Sequence, residues 1–489
     1  MALDELQSLL ERLRGRRILC VGDLMVDRYV YGEVSRISPE APIPVMLRRS
    51  EAVMLGGVGN VARNLAALGA QAVLCGVIGG DPAGSEAVEL ALAEGGGVDA
   101  RLVVDGGRPT ITKTRFVAGG QQLLRLDAEE SGPPTPDAER ALAEELAVAA
   151  EGIGAVLISD YAKGAVSDRI IAAAHAAGRA SGAPVIVDPK GLSFARYGSV
   201  DLIKPNAKEL SLVVNLPVNT DEEAEIALKA ALEACTAKAI LVTRAGAGMS
   251  LAVRGGEVRH FRARAQAVFD VSGAGDTCLA ALGAGLAAGA ELEDAVRLAL
   301  LASGVVVAKP GTAVVTPVEL RDAELGARLQ QLEHKFADLD AARAQVVRWR
   351  AKGLRVGFTN GCFDILHRGH VAYLAQARSW CDRLVVGLNS DASIRRLKGE
   401  SRPVNDLESR ALVLAGLSSV DLVAPFEDDT PIKLIEGLRP DVLIKGADYT
   451  VETVVGSDLV LAYGGEVRLA PLVEGYSTTK AIARMSKAG

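Results

Sequence analysis

Short apolar runs alternate with longer amphipathic stretches along most of the chain. In the first part of the sequence the runs are rich in valine, isoleucine and leucine and end near Gly, Pro or Asp. Such runs predict buried strands of a parallel sheet, and the stretches between them predict helices that cover its faces. The predicted strands lie at 72–79, 155–160, 184–189, 200–206 and 239–246.

Two segments of the first part follow a different pattern. Residues 29–47 and 100–127 alternate polar and apolar side chains and contain Gly and Pro turns. A period of two residues is typical of strands that bury only one face. We therefore expect antiparallel strands outside the main sheet, arranged as a lid.

The α/β pattern starts again with "RVGFTNGCFD" at Arg355. A charged helical stretch precedes it, with a predicted helix cap at Asp338 and a helix stop at Gly353. The strands predicted in the second part lie at 383–391, 420–426, 441–449 and 465–472. The sequence thus predicts three parts: an α/β domain with a lid at 1–318, a helical linker at 319–344 and a second α/β domain at 345–489.

Composition is that of an ordinary globular protein with more than one domain. The chain has 489 residues, of which 49% are hydrophobic and 24% charged. The net charge of −7, with no long run of one sign, disfavours a nucleic-acid binder that relies on a basic face. Small anionic substrates remain compatible with this charge, because local arginines and helix N-termini bind them.

Targeting signals and cysteine usage indicate a cytoplasmic protein. No run of uncharged apolar residues is long enough to span a membrane, and the first residues lack the apolar core of a signal peptide. The six cysteines are scattered and form no CxxC pair. Disulfides are therefore not expected, and a reducing compartment fits.

The motif "DVSGAGD" is the first candidate for chemistry. Small residues at the start of a helix leave backbone N–H groups free to bind an anion, and Gly273, Ala274 and Gly275 meet this requirement. Asp276 follows in the first turn. Phosphoryl transfer to an alcohol needs both a base and donors for the transferred group. An acid that merely favours a helix start is the alternative explanation of Asp276.

Two further motifs fit a phosphate site. In "KPNAKEL", Asn206 and Glu209 are spaced to reach one hydrated Mg²⁺, although a capped helix explains the same spacing. "GGVGNVARNL" places glycines and Asn60 before an amphipathic helix. Its Gly57 and Gly59 resemble a dinucleotide fingerprint only weakly, since they do not follow the first strand. The sequence contains no Walker A motif.

Together these three motifs resemble the ribokinase-like carbohydrate kinase family over residues 15–318. The resemblance implies a ribokinase-like three-layer α/β fold with a β-lid that mediates dimerisation, and Asp276 as the base that activates the acceptor hydroxyl. It also implies an anion hole formed by Gly273, Ala274 and Gly275, and a sugar site lined by Asp23, Gly57 and Asn60. The residues implied for the nucleotide are Asn206, Ala207, Lys208, Glu209, Thr243, Gly246 and Gly248. Of these, Asn206 and Glu209 are implied to hold Mg²⁺ through water.

Within that family, "GDLMVDRYVYGEVSRISPEAPIPV" and "SDYAKGAV" resemble the branch that acts on a heptose phosphate. A sugar phosphate needs cations in its pocket. The candidates, each of which a plain surface charge would also explain, are Lys113, Arg115, Arg125, Lys163 and Lys190.

The second part carries "GCFDILHRGHVAYL", in which His367 and His370 lie one helical turn apart. Imidazoles at a helix start can donate to phosphate oxygens. A zinc site would need further Cys or His ligands, and a structural histidine pair is the other alternative. Basic residues cluster downstream in "RRLKGESRPV", and hydroxyls cluster in "EGYSTTK".

These motifs resemble the HxGH nucleotidyltransferase superfamily, of the cytidylyltransferase-like kind, over residues 345–489. The resemblance implies a Rossmann-like fold in which His367 and His370 stabilise an α-phosphoryl transition state, Lys398 grips phosphates and Mg²⁺ offsets charge. The other residues it implies are Phe363, Asp364, Ser477, Thr478 and Thr479 for the nucleotide, and Arg396 and Arg402 for the phosphorylated substrate. A class I aminoacyl-tRNA synthetase shares the HxGH pair, but the second part leaves no room for tRNA-binding domains.

Both parts in this order resemble the bacterial bifunctional heptose-phosphate kinase and adenylyltransferase family. The resemblance implies ATP as substrate at both sites, phosphorylation of D-glycero-β-D-manno-heptose 7-phosphate at O1, and formation of ADP-heptose and pyrophosphate from the heptose 1-phosphate. The residues leave two alternatives open: another sugar kinase fused to a nucleotidyltransferase for a different small phosphate, and a regulator that binds nucleotide or sugar without turnover. A homodimer through the lid is expected, and neither a nucleic acid nor a membrane is expected as partner.

Overall fold

The computed structural model describes residues 3–264 and 268–471. The chain divides into two compact units, Met1–Leu325 and Gly326–Gly489. This division falls inside the stretch for which the sequence predicts a helical linker.

The first unit alternates strands and helices along the chain. Its strands are β1 (Arg17–Gly22), β2 (Leu24–Ile37), β3 (Pro44–Gly57), β4 (Gln71–Gly79), β5 (Val98–Asp105), β6 (Ile111–Ala118), β7 (Gln121–Ala128), β8 (Ile153–Ser159), β9 (Val185–Asp188), β10 (Leu202–Ile203), β11 (Ala239–Thr243), β12 (Met249–Val253) and β13 (Arg259–Phe261). Its helices are α1 (Leu3–Leu13), α2 (Val58–Ala67), α3 (Pro82–Ala93), α4 (Pro136–Ala149), α5 (Asp168–Ser181), α6 (Ala207–Val214), α7 (Asp221–Glu233), α8 (Ala274–Ala287), α9 (Leu292–Val307) and α10 (Pro317–Glu333), the last of which crosses into the second unit.

The main sheet has nine strands in the order β13-β12-β11-β10-β9-β8-β1-β4-β5. The strands from β11 to β5 pair in parallel, whereas β12 and β13 extend one edge in antiparallel fashion. Alternate side chains of β1 enter two separate cores, Ile18 on one face and Leu19 on the other. Helices cover both faces, which is why the strands are continuous apolar runs. The predicted three-layer α/β architecture is confirmed.

A separate sheet of four strands, in the order β3-β2-β6-β7, forms the predicted lid. Two details of the prediction are wrong. Strand β5, most of which falls in the segment 100–127 assigned to the lid, is instead the parallel edge strand of the main sheet. Strands β2 and β6 also pair in parallel rather than antiparallel. An edge strand covered on one side has the same alternating pattern as a lid strand, so periodicity alone does not distinguish them.

The second unit is a smaller parallel α/β fold. Its strands are β14 (Val356–Gly361), β15 (Arg383–Asn389), β16 (Leu422–Phe426), β17 (Val442–Gly446) and β18 (Glu466–Ala470). Its helices are α11 (Leu339–Arg350), α12 (Arg368–Arg378), α13 (Asp391–Lys398), α14 (Leu407–Ala415), α15 (Ile432–Leu438) and α16 (Ser457–Ala462). The cap predicted at Asp338 is confirmed, because its carboxylate accepts a hydrogen bond from Ala341 N at 2.8 Å.

Strand β14 occupies the centre of the second sheet, whose order is β16-β15-β14-β17-β18. All four pairings are parallel. The chain continues from β14 to β15 on one side and returns to β17 on the other. Open α/β sheets bind ligands outside the carboxyl end of a strand at which the order reverses in this way. The loop after β14 leads directly to the two predicted histidines.

Within residues 3–264 and 268–471, every helix is too short or too polar to cross a lipid bilayer. All six cysteines are reduced, and five of them are buried.

Candidate active sites

The first candidate centre lies where α8 begins. Gly273 precedes the helix with φ +76°, and a Cβ atom there would approach Asn60 Nδ2 to 2.8 Å. The position therefore requires glycine. The first N–H groups of a helix have no partner within it. Ala274 N donates to Val271 O at 3.2 Å, so Gly273 and Gly275 supply the donors that fit the predicted anion hole. Asp276 lies in the first turn with its side chain buried.

Two donors hold the carboxylate of Asp276. Asn60 Nδ2 donates to Oδ2 at 3.0 Å, and the hydroxyl of Tyr161 donates to Oδ1 at 2.8 Å. Burial raises the pKa of Asp276 to about 7, although both hydrogen bonds lower it. A carboxylate with a pKa near neutrality is well suited to take a proton from an alcohol at physiological pH.

A buried ion pair lies beside the predicted anion hole. Lys204 Nζ is 2.9 Å from Asp188 Oδ2, and the lysine is almost completely buried. A Cβ on Gly275 would be 3.7 Å from Asp188 Oδ2 and 3.9 Å from Lys204 Nζ, so both members of the ion pair lie directly behind the helix start. Burial lowers the pKa of Lys204, but the carboxylate of Asp188 more than offsets this and the net shift is upward. A permanent positive charge here would stabilise a transferred phosphoryl group.

Asp23 fixes a loop rather than standing free in a pocket. Its Oδ2 accepts hydrogen bonds from Tyr161 N at 2.8 Å and Lys163 N at 3.0 Å, and its Oδ1 accepts one from Ala165 N at 2.9 Å. Gly57, at φ +58°, packs against this residue, since a Cβ there would lie 2.3 Å from Asp23 O. The structure thus brings Asp23, Gly57 and the loop together, and their contact with a sugar stays a prediction.

Asn206 and Glu209 form a reciprocal helix cap. Asn206 Oδ1 accepts a hydrogen bond from Glu209 N, and Glu209 Oε2 accepts one from Asn206 N, both at 2.9 Å. Lys190 Nζ donates to the remaining oxygen, Oε1, at 2.7 Å. Ala207 and Lys208 form the turn between them. The capped helix considered as an alternative is therefore present.

This cap restricts how a metal could bind. Among the described residues, no group of three or more His, Cys, Asp or Glu side chains is arranged to hold a metal ion. Both oxygens of Glu209 already accept hydrogen bonds, yet each retains a further lone pair. These two residues would therefore hold Mg²⁺ through bound water, and the ion would offset phosphate charge there.

The predicted nucleotide residues meet at the carboxyl ends of β10 and β11. Thr243 and Asn206 pair as an isolated parallel bridge. Gly248 has φ +96°, and a Cβ there would lie 2.0 Å from Phe261 O, whereas Gly246 faces open space. Position 248 therefore requires glycine for its backbone conformation, whereas a larger side chain at position 246 would meet no atom within 4 Å.

Most of the cations proposed for the sugar phosphate already have acidic partners. Arg115 Nη1 donates to Asp27 Oδ1 at 2.6 Å, and its guanidinium lies 5.0 Å from the ring centre of Tyr29. Arg125 forms two hydrogen bonds with Asp127, at 2.8 and 2.9 Å.

Lys163 and Lys113 belong to the same set. Lys163 Nζ bonds Glu129 Oε1. Burial lowers the pKa of Lys113, while the charge of Asp127 acts in the opposite direction. Lys113 and Arg115 lie on lid strand β6, Arg125 lies on β7, and Lys163 lies on the loop that Asp23 holds. The fifth predicted cation, Lys190, follows β9 and pairs with Glu209.

The second candidate centre begins α12. His367 is the N-cap of this helix and His370 lies in its first turn, which confirms the predicted position. Their rings stack with centroids 3.9 Å apart, and the edge of Phe363 meets His370 at 5.2 Å. Burial, and then the neighbouring His367, lower the pKa of His370 to about 4. The imidazole of His370 is therefore neutral at physiological pH.

Asp364 joins the HxGH loop to the segment that follows α13. Its Oδ1 accepts hydrogen bonds from Val404 N at 2.8 Å and Asn405 N at 3.1 Å, and its Oδ2 pairs with Arg402. Burial raises the pKa of Asp364, but these hydrogen bonds and Arg402 outweigh it, and the net shift is downward. Asp364, predicted for the nucleotide, and Arg402, predicted for the substrate, are thus each other's partners.

The remaining predicted cations differ in their surroundings. Lys398 ends α13 in solvent, and its charge contributes, after burial and His367, to the lowered pKa of His370. Arg396 is engaged elsewhere, with Asp429 Oδ1 at 3.0 Å from its Nε. Lys398 is therefore the better placed of the two beside the histidines. Ser477, Thr478 and Thr479 lie outside the described residues.

Two cations of this centre, a buried arginine and a partly buried lysine, were not predicted from the sequence. Arg410 donates to Cys362 O at 2.8 Å, Asn389 O at 2.9 Å and Asp391 Oδ1 at 2.6 Å. It thereby ties the loop after β14 to the end of β15. Arg410 stands in an amphipathic helix, where the sequence cannot distinguish a buried arginine from a surface one.

Lys445 is the second missed cation. Its Nζ donates to Asn360 O at 3.1 Å and lies 5.5 Å from the ring centre of Tyr449. Burial lowers its pKa to about 8. Its position at the end of β17, within "IKGADY", was the signal available in the sequence.

Two known protein families match successive parts of the chain, and the division between the two structural units falls between the matched ranges. Residues 16–319 match the pfkB family of carbohydrate kinases, and residues 358–484 match the cytidylyltransferase-like family.

Full-length relatives carry both parts in one chain. Proteins named bifunctional protein HldE are 53% identical in Hyphomonas neptunium, 52% in Caulobacter vibrioides and 51% in Rhodospirillum rubrum. The alignments cover 98%, 99% and 99% of this chain and 99%, 99% and 97% of the respective relatives.

Among solved structures, phosphofructokinase-2 from Escherichia coli in complex with substrates and products is similar in fold. It is 22% identical, with a TM-score of 0.53, and the match covers 64% of this chain and 99% of that one.

Proposed function

The chain belongs to the family of the bifunctional HldE proteins, and from this premise we propose which residues act in each of its two reactions. It is a carbohydrate kinase joined to an adenylyltransferase. Its substrates are D-glycero-β-D-manno-heptose 7-phosphate for the kinase and the heptose 1-phosphate for the adenylyltransferase, with ADP-heptose as the final product. The observation that carries the proposal is that each unit places its candidate groups where a helix begins: Asp276 in the first turn of α8, and His367 and His370 at the start of α12.

In the kinase reaction Asp276 takes the proton from the O1 hydroxyl. The freed oxygen attacks the γ-phosphorus of ATP, the bond to the β,γ-bridging oxygen breaks, and ADP leaves. The N–H groups of Gly273 and Gly275, with Lys204 behind them, stabilise the charge on the transferred group. Asn60 keeps the carboxylate oriented through its hydrogen bond to Oδ2.

In the adenylyl transfer an oxygen of the sugar 1-phosphate attacks the α-phosphorus of ATP. The bond to the α,β-bridging oxygen breaks, and pyrophosphate leaves. His367 and His370 donate to the developing charge, and no covalent enzyme intermediate forms. Lys398 holds phosphate oxygens beside them.

ATP serves at both sites. Asn206 and Glu209 would hold Mg²⁺ through water in the kinase unit, where the ion offsets phosphate charge. Thr243, Gly246 and Gly248 border the nucleotide. Because both reactions consume ATP, we place the protein in the cytoplasm.

We also propose that the lid mediates a homodimer. Strands β2, β3 and β7 expose leucine and isoleucine side chains that a monomer would leave in water, and an exposed apolar patch of this kind is typical of an interface. The most exposed of them are Ile37 (61%), Leu124 (59%), Leu126 (57%) and Leu47 (56%). Lid strands from two copies would cover each other's apolar face.

Phosphorus NMR of the products tests the proposed function. The full chain, ATP, Mg²⁺ and the heptose 7-phosphate should yield ADP and a sugar 1,7-bisphosphate. Heptose 1-phosphate with ATP should yield ADP-heptose and pyrophosphate. A preference for another sugar or another nucleotide would favour the first alternative, a different fused kinase. Formation of neither ADP nor pyrophosphate would favour a binding regulator.

A further inference from the structure

One residue of the first unit contacts both of the carboxylates assigned to its sugar and base sites. Tyr161 follows strand β8. Its backbone N–H donates to Asp23 Oδ2 at 2.8 Å, and its hydroxyl donates to Asp276 Oδ1, also at 2.8 Å.

The phenol acts as a donor in this contact. Burial, and then the charge of Asp276, raise the pKa of Tyr161 well above its ordinary value, so the hydroxyl keeps its proton. An ionised carboxylate only accepts hydrogen bonds, which fixes the direction of the bond. Since Asn60 occupies the other oxygen, the two donors together define the plane of the Asp276 carboxylate.

The loop that carries Tyr161 is itself rigidly held. Besides Tyr161, it donates the N–H groups of Lys163 and Ala165 to Asp23, at 3.0 and 2.9 Å. The hydroxyl of Tyr161 therefore contacts Asp276 while the backbone of Tyr161 is held in place by the carboxylate of Asp23. A donor held in this way does not lose conformational freedom when the bond forms.

We propose that Tyr161 is a positioning residue for the kinase base: its hydroxyl aims the carboxylate of Asp276 at the acceptor hydroxyl and favours its ionised form. This inference rests on the proposed role of Asp276 as the base.

The charged and polar groups around Asp276 show why the phenol matters. Asp188, at the end of β9, opposes ionisation, and so does burial; Lys204, Asn60 and Tyr161 favour it. Asp27 of the lid faces Tyr161 and further disfavours loss of the phenolic proton. Removing one of the few groups that favour the ionised form should raise the pKa of the base.

The test is the pH dependence of kinase kcat/KM in Tyr161→Phe, with ATP and heptose 7-phosphate. The rising limb should move upward by about one pH unit, because a hydrogen bond to a charged group is lost. Activity should fall about fivefold at pH 7, where the base of wild type is about half ionised, and recover toward the wild-type value at high pH. Adenylyl transfer, measured in the same preparation, should not change.

Tyr197→Phe is the matched control. Its buried hydroxyl also donates to a carboxylate, Asp160 Oδ2, at 2.8 Å, but that carboxylate is not the base. The midpoint of the kinase profile should stay in place in this variant. An unchanged midpoint in Tyr161→Phe, with activity lowered equally at every pH, would overturn the proposal.

A second variant keeps the test valid if Tyr161→Phe does not fold. Replacing Tyr161 with 3-fluorotyrosine preserves the contact and makes the phenol a stronger donor, so the midpoint should move downward. A midpoint that does not move would contradict the inference. Failure of the underlying assignment is separately visible: if Asp276→Asn retains kinase activity, Asp276 is not the base.

Discussion

The imidazoles of His367 and His370 stack face to face, with their centroids 3.9 Å apart and their planes inclined by 14°. Two positive charges at this distance would repel each other, and both rings adjoin the start of α12. The lowered pKa of His370 follows from burial and from this neighbour. His370 is therefore suited to donate a neutral N–H group to a phosphate oxygen.

Replacing each histidine with alanine should abolish adenylyl transfer and leave the kinase reaction intact. Loss of donors to a developing charge typically costs on the order of 10²–10³-fold in kcat. Pyrophosphate release and ADP release, measured in one preparation, separate the two activities. Loss of both activities in a folded variant would contradict the independence of the two units.

Protonation of His370 should not change the rate of adenylyl transfer near neutral pH. Its pKa of about 4 means that the free enzyme does not protonate this ring between pH 6 and 9. Since the folded pKa lies below the ordinary 6.5, this group contributes stability above pH 6.5 that is lost as the pH falls toward 4. The melting temperature of wild type, relative to that of His370→Gln, should therefore fall as the pH is lowered across that interval.

Asp276→Asn should reduce kinase turnover by at least about 10²–10⁴-fold and spare adenylyl transfer. The same change should stabilise the first unit above pH 7. The folded pKa of about 7 exceeds the ordinary 3.8, so ionisation of Asp276 costs stability as the pH rises through this interval. A melting temperature that is higher in the variant at pH 8, and equal to that of wild type at pH 4, is the expected result.

Gly248→Ala should destabilise the first unit by more than about 1 kcal/mol, because its φ is +96° and the new Cβ would lie 2.0 Å from Phe261 O. Gly246→Ala is the matched control. A Cβ at Gly246 would meet no atom within 4 Å, so stability should be unchanged. A raised KM for ATP in Gly246→Ala, without loss of stability, would support its place beside the nucleotide.

Arg410→Met should destabilise the second unit by about 3–5 kcal/mol, since it leaves buried carbonyl groups and the carboxylate of Asp391 without their donor. Denaturant unfolding, followed by a probe in that unit, measures the effect. Lys433→Met is the control: its ion pair with Asp428 is exposed, and such pairs contribute little. Equal effects of the two changes would refute the structural role of Arg410.

Leu126→Arg should convert the proposed dimer to a monomer in analytical ultracentrifugation. The guanidinium would have to be buried, without a partner, in an apolar interface. Leu192→Arg, at a more exposed leucine outside the lid, should leave the mass unchanged. A wild-type protein that sediments as a monomer at every concentration would exclude the lid interface.

Much of this arrangement could be predicted from the sequence, because strands buried on both faces and glycine-rich helix starts have strong local signals. The apolar runs locate nearly all of the parallel strands, and "DVSGAGD" locates the start of α8. Strand β5 was misplaced because one covered face gives an edge strand the pattern of a lid strand. The spacing of Asn206 and Glu209 fits either a hydrated Mg²⁺ site or a helix cap, and the sequence alone does not decide between them.

The contacts of the centres could not be read from the sequence, since they join residues far apart in the chain. Asp276 meets Tyr161 across 115 positions, and Asn60 across 216. Neither Tyr161 nor Arg410 differs locally from a surface residue of the same type. Their roles depend on which strand ends lie side by side, which only the folded sheet determines.

All the side chains described for each centre come from a single unit. One gene therefore delivers the two catalysts in equal numbers, whatever the level of expression. The amounts of the kinase unit and the adenylyltransferase unit cannot be regulated separately, because both belong to one chain. Any imbalance in flux between the two reactions therefore has to be corrected through turnover numbers and affinities.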